Sequence, residues 1–158
     1  MKVYKMKTLL IDGEWNLKRN FKKRQELFAK GEHCGGSYGF LDSLRSIVDK
    51  TMPDRVVVFW DGMMSGVFRK NIYPSYKGKR DKSWDEESYY LSDEDVEDEK
   101  DRKYSILNQK IKVKNYLEEL CVRQSEVEYV EADDLIGLYV KNKLKDEQVF
   151  IFSSDKDS

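Results

Sequence analysis

Three short apolar runs in this chain each close on aspartate. LLID ends in Asp12, VVVFWD ends in Asp61, and FIFSSDKD brings Asp155 and Asp157 directly after its apolar part. The runs, residues 8–11, 55–60 and 149–152, are continuous rather than alternating, which suits strands of a parallel sheet covered on both faces. Stretches of helical period lie between them. Residues 40–50 place Leu41, Leu44, Ile47 and Val48 on one stripe, residues 104–121 repeat Ile106, Val113, Leu117, Leu120 and Cys121, and residues 131–143 repeat Leu135, Ile136, Tyr139 and Val140. The alternation predicts an α/β fold with a mostly parallel central sheet flanked by helices. A fourth, shorter strand is expected at residues 128–130.

In a parallel sheet the carboxyl ends of the strands share one edge, where such folds place their sites. The predicted start of the last helix, EADD, adds Glu131, Asp133 and Asp134. Each feature alone has an ordinary structural reading. An aspartate after a strand is common turn chemistry, and acids in a first helical turn complement the helix dipole. Their coincidence at three strand ends and one helix start favours a shared site. Carboxylates gathered that closely cannot all stay ionised without compensation, and an oxygen-only donor set suits Mg²⁺ or Mn²⁺.

The remaining charge is segregated. The chain has 158 residues, 39% apolar and 37% charged, enough for one folded domain with a densely charged surface. Its net charge of −1 conceals a basic block at Lys18, Arg19, Lys22, Lys23 and Arg24 and a second in FRKNIYPSYKGKRDK. In the second, Arg69, Lys70, Lys77, Lys79, Arg80 and Lys82 interleave with Phe68, Tyr73 and Tyr76. Cations can hold phosphates there while an aromatic ring stacks on a base; the plainer reading is a solvated loop. An acidic cluster beside a basic aromatic segment suggests phosphodiester chemistry. Residues 85–101 hold ten acidic residues and one lysine, which reads as a charged helix or a flexible excursion. The single histidine, His33, and the isolated Cys34 and Cys121 argue against zinc; His33 is expected in a solvated loop and both cysteines as free thiols. No apolar run approaches bilayer length and no apolar signal segment opens the chain, so no membrane partner and a cytoplasmic location are expected.

From about residue 7 onward, LLIDG, VVVFWDG followed by GVFRKNIYPSYKGKR, VEYVEADDLIG and FIFSSDKD resemble, in order and spacing, the flap endonuclease and 5′–3′ exonuclease family. The resemblance is to its bacterial and bacteriophage branch, with a PIN-like N-terminal catalytic region over residues 1–158. It implies a structure-specific nuclease acting on 5′ flaps, branched DNA, 5′ ends and RNA–DNA primers in replication and repair. Its cofactor would be Mg²⁺ or Mn²⁺, two ions in the complete site. Carried over by motif, Asp12, Asp61, Glu131, Asp133, Asp134, Asp155 and Asp157 would serve the metals. Lys77 would contact the scissile phosphate with Arg80 beside it, and Tyr76 would stack on a base. The nucleic-acid surface would take in Arg69, Lys70, Lys79, Lys18 and Arg19. An activated water would attack phosphorus without a covalent enzyme intermediate.

Two departures from the family are expected to matter. Its members continue past SDKD into a helix–hairpin–helix duplex-binding region and a further acidic motif, so a duplex-binding region or replication partner is expected to be needed. Where the family places an arch over the site, residues 83–103 here form a mostly acidic insertion, better suited to an outward-facing or disordered segment. Two other readings stay open: a DNA-binding remnant without catalysis, and a PIN-like ribonuclease.

Overall fold

The structure, a computed structural model, describes residues 5–66 and 93–154. Its elements, in chain order, are β1 (Met6–Asp12), α1 (Gly13–Lys23), β2 (Phe28–Ala29), β3 (Glu32–His33), α2 (Gly35–Thr51), β4 (Arg55–Trp60), α3 (Asp93–Glu119), β5 (Arg123–Glu126), α4 (Ala132–Lys141) and β6 (Glu147–Phe152). Four strands form one sheet in the order β5-β4-β1-β6, every neighbouring pair parallel, and β2 and β3 form a small antiparallel ribbon. The α/β class expected from the apolar runs is the class observed.

Strand alternation divides the core into two layers. Leu9, Ile11, Val58 and Trp60 meet Leu17 of α1, Phe40 and Leu44 of α2, and Val113 and Leu117 of α3. Leu10, Val57 and Phe59 point to the other face, against Ala132 and Ile136 of α4. Three helices therefore cover one face and one covers the other. α3 is further keyed to α2 by the buried Gln109, whose Oε1 accepts the Ser37 amide at 2.9 Å.

Several expectations change. The chain passes from Asp12 directly into α1, a helix the apolar pattern does not announce, and most of the first basic block rides on it. Residues 128–130 are a turn, with Tyr129 in the left-handed region at φ 66°, and the fourth strand is the polar β5 just upstream. His33 is no solvated loop residue. Its Nε2–H donates to the Arg24 carbonyl at 2.8 Å, its Nδ1 accepts from Gln109 at 3.0 Å, and its ring meets Phe21 edge-on at 4.7 Å. The acidic stretch is helical from Asp93 onward, continuous with α3, and residues 100–103 are exposed. Cys34 is half-buried and Cys121 exposed, both free thiols. Among the described residues no helix is long and apolar enough to cross a membrane.

The amino-terminal edge of the sheet is fastened by Glu147, only 5% exposed at the start of β6. Its Oε1 accepts from the Thr8 hydroxyl at 2.6 Å and the Tyr139 hydroxyl at 2.5 Å, and its Oε2 from the Leu144 amide at 3.1 Å. Burial alone would push this carboxyl up, but these donors and the Arg55 charge outweigh it and hold it below its ordinary 4.5. A depressed carboxyl stabilises the fold above the unfolded value, and that contribution is lost as pH falls through the folded one. Glu147→Gln should therefore cost roughly 1–3 kcal/mol at neutral pH, and the gap to the parent should close below about pH 4.5. Urea unfolding across this range checks it; a gap that stays constant contradicts it.

Candidate metal centre at the sheet edge

The chain runs from β1 outward through β4 to β5, then returns to the opposite side of β1 as β6. The strand order thus reverses beside β1, and the crevice past the carboxyl ends at such a switch point is where open α/β sheets bind ligands. Asp12 is the last residue of β1, and β6 comes alongside with Phe152 opposite Ile11.

Asp12 is 7% exposed. It is the N-cap of α1, its Oδ1 accepting the Trp15 amide at 3.1 Å. Asp61, immediately after β4, reaches across to a different element and accepts the Ala132 amide at 2.8 Å. That amide opens α4, so a carboxylate from the second strand satisfies one of the orphan donors at this helix N-terminus. The two loops are zipped together by main-chain bonds. Gly62 N–H donates to the Val130 carbonyl and Tyr129 N–H to the Met63 carbonyl, both at 2.9 Å. The approach is so close that a Cβ on Gly62 would stand 1.7 Å from the Val127 carbonyl oxygen, so only glycine fits. This zipper sets the first turn of α4, with Asp133 and Asp134, next to Asp61. Glu131, the N-cap residue of α4, is buried, while Asp133 and Asp134 are exposed.

The consequence is electrostatic. Asp12 is pushed from its ordinary 3.8 up to about 7, first by burial, then by the Asp133 and Asp61 charges and a hydrogen bond shared with Asp133; the Trp15 amide opposes this. Burial and neighbouring negative charge both favour the neutral form of Asp12. Asp12, Asp61 and Asp133 are thus brought into one field of negative charge. Among the described residues no three acidic, histidine or cysteine side chains already surround one ion position. The donors that are gathered are all carboxylate oxygens, the chemistry of a hard divalent cation rather than of zinc or copper. A cation there would offset the same negative charge.

Of the other expected site residues, Lys18 and Arg19 are exposed on α1. The Arg19 guanidinium lies over Trp15 at 4.7 Å and Phe152 at 5.4 Å, beside the end of β6. Arg69, Lys70, Tyr76, Lys77, Lys79, Arg80, Asp155 and Asp157 lie outside the described residues. Sequence reasoning missed Gly62 and the Ala132 amide as parts that place Asp61 and Asp133. The DG pair after β4 is the only local trace of them, and it reads equally as a turn.

A parallel sheet whose switch point gathers carboxylates around a buried aspartate defines an α/β domain with an acidic carboxyl edge. The chain belongs to the family of the 5′-3′ exonuclease N-terminal resolvase-like domain, whose model matches residues 7–158. It is 27% identical over 152 residues to a 5′-3′ exonuclease of Buchnera aphidicola, covering 94% of this chain and 46% of that protein. It is 30% identical over 161 residues to DNA polymerase I of Streptococcus pneumoniae, covering 97% of this chain and 16% of that protein. It therefore spans about half the length of the exonuclease and a small part of the polymerase. Among solved structures it is similar to the bacteriophage T5 5′-exonuclease with bound divalent metal ions (zinc), at a TM-score of 0.69 and 21% identity, covering 94% of this chain and 49% of that one. A T5 flap endonuclease in complex with DNA and metal ions matches at a TM-score of 0.66 and 23% identity, covering 95% and 49%. At these identities the structural likeness establishes the fold.

The raised Asp12 has a measurable signature. Between about pH 4 and pH 7 the folded state binds a proton that the unfolded state has released, so without metal stability falls as pH rises through this window. Asp12→Asn should flatten that decline and unfold at higher urea than the parent at pH 8 in EDTA. A difference between the two proteins that does not grow from pH 5 to pH 8 contradicts this.

Proposed function

We propose that this chain is the catalytic region of a divalent-metal-dependent 5′ nuclease that hydrolyses phosphodiester bonds of DNA at 5′ ends and flaps, and of RNA–DNA primers. The observation that carries the reading is the meeting of Asp12, Asp61 and Asp133 at the switch point, where burial first and then the Asp133 and Asp61 charges push the Asp12 carboxyl up to about 7. Family membership and the metal- and DNA-bound fold relatives support it. We assign Asp12, Asp61, Glu131, Asp133 and Asp134 to holding Mg²⁺ or Mn²⁺. Asp155 and Asp157, which follow β6 in the sequence, complete the set for two ions. Such a cation, when bound, neutralises phosphate charge and lowers the pKa of coordinated water.

The protein's own contribution is to place these groups. β1, β4 and the zipped loops hold Asp12, Asp61 and Asp133 at one sheet edge, from which their carboxylates could close on a common ion. Lys77 and Arg80 then engage the scissile phosphate and its developing charge, Tyr76 stacks on the neighbouring base, and Arg69, Lys70 and Lys79 hold the backbone. Lys18 and Arg19 extend the cationic surface from α1, beside the end of β6. Residues 1–158 act as the PIN-like catalytic domain, with residues 83–103 as an insertion in it. Grip on duplex DNA comes from a duplex-binding region or a replication partner, and the reaction takes place in the cytoplasm.

The test is cleavage of a labelled 5′-flap DNA by residues 1–158 with Mg²⁺, with Mn²⁺ and with EDTA, beside the variants Asp133→Asn and Asp155→Asn. Cutting should require the metal and fall at least about a hundredfold in each variant, since a lost metal ligand removes several kcal/mol of charge stabilisation. Salt-sensitive binding of the same DNA without turnover would point instead to a binding module, and cleavage confined to RNA to a ribonuclease.

A further inference from the structure

Trp60, the last residue of β4, is fully buried. Its backbone continues into Asp61, and its ring lies against the start of α1: a Cβ on Gly13 would stand 2.7 Å from the indole Cε3. Phe40 stacks on the ring with centroids 5.7 Å apart, and the indole N–H donates to Gln124 Oε1 at 2.9 Å. Two ammonium groups from α3 also lie over it, Lys110 at 5.5 Å and Lys114 at 5.7 Å. Each is ion-paired, Lys110 with Glu14 in the first turn of α1 and Lys114 with Glu126 at the end of β5.

The two pairs are not equivalent. The Lys110 and Glu14 side chains are 19% and 14% exposed, against 33% and 36% for Lys114 and Glu126. A more buried pair is less screened, and removing one member leaves the other charge uncompensated. A cation over an indole face gains further attraction as water is excluded. The pair also spans 96 positions of sequence, joining the middle of α3 to the residue two places after Asp12. Asp12 and Asp61 repel each other, so what fixes their separation has to come from outside the cluster.

We propose that Lys110 is a positioning residue of the metal centre: by binding Glu14 across the face of Trp60 it locks the β1–α1 junction at Asp12 to the end of β4 that leads into Asp61. Its purpose rests on the metal reading above, but the geometry can be tested without a metal. The probe is residue-by-residue hydrogen exchange in the parent, Lys110→Met and Lys110→Arg. The reporters are the Trp15 and Ala132 amides, which bond to Asp12 and Asp61, with the Leu9 and Leu10 amides inside the sheet as controls.

Lys110→Met should speed exchange at the reporters at least tenfold more than at the controls. It should also weaken Mn²⁺ binding, followed by electron paramagnetic resonance, at least fivefold, and Lys110→Arg should restore both. Equal acceleration at all four amides means that the pair serves general stability alone and overturns the proposal, as does no acceleration. If Lys110→Met does not fold, Glu14→Gln carries the same expectation, and unchanged Trp15 exchange in it overturns the proposal. A parent that binds no Mn²⁺ refutes the metal reading, and the exchange comparison still decides the role of Lys110.

Discussion

Mutual repulsion among carboxylates at one sheet edge is the constraint around which this fold is arranged. A parallel sheet with a reversal of strand order beside β1 delivers Asp12 and Asp61 from adjacent strands, and α4 delivers Asp133 to the same place. Water alone would not hold three such groups together, because burial of Asp12 removes the screening that makes surface acids compatible. Two features of the chain itself lessen the repulsion. The Asp12 carboxyl is pushed up to about 7, and Asp61 faces the first amide of α4, at the positive end of the helix dipole.

The rest of the structure resists the spreading that repulsion would cause. The Gly62 zipper holds the loop after β4 against the loop before α4, and Trp60 packs against the start of α1 under the ammonium groups of α3. The opposite edge of the sheet has the reverse character. Glu147 is there satisfied by two hydroxyls and an amide, so its buried charge is fully bonded and needs no cation. One buried carboxyl is pushed up and another is held down, which separates an edge prepared for a ligand from one that only fastens strands.

How much of this was legible in the sequence depended on the range of the interactions. The strands β1, β4 and β6 were readable because their apolar runs are continuous, and the rule that a parallel sheet shares its carboxyl edge led from them to Asp12 and Asp61. α1 escaped because its inner face is partly polar. Asn16 and Asn20 are buried in the seam with α2, Asn20 bonding Asn16 Oδ1 at 2.9 Å and Ser43 bonding it at 3.1 Å, so the apolar stripe that would announce a helix is broken. β5 escaped for a related reason: Gln124 works as a bridge, accepting from Trp60 and donating to the Lys114 carbonyl, where a hydrophobic residue would have given the strand away. The Lys110–Glu14 pair leaves no local pattern at all. The chemistry of the site was therefore readable from residue type and strand ends, while its support was not.

On this reading a divalent cation replaces the proton held at Asp12. The direct measurement is calorimetric titration of Mn²⁺ into the protein in buffers of different ionisation enthalpy, at pH 6 and at pH 8.5, which counts the protons released on binding. With Asp12 pushed up to about 7, binding at pH 6 should release about one proton and binding at pH 8.5 close to none. Binding with the same proton count at both pH values, or no binding at either, would contradict the account.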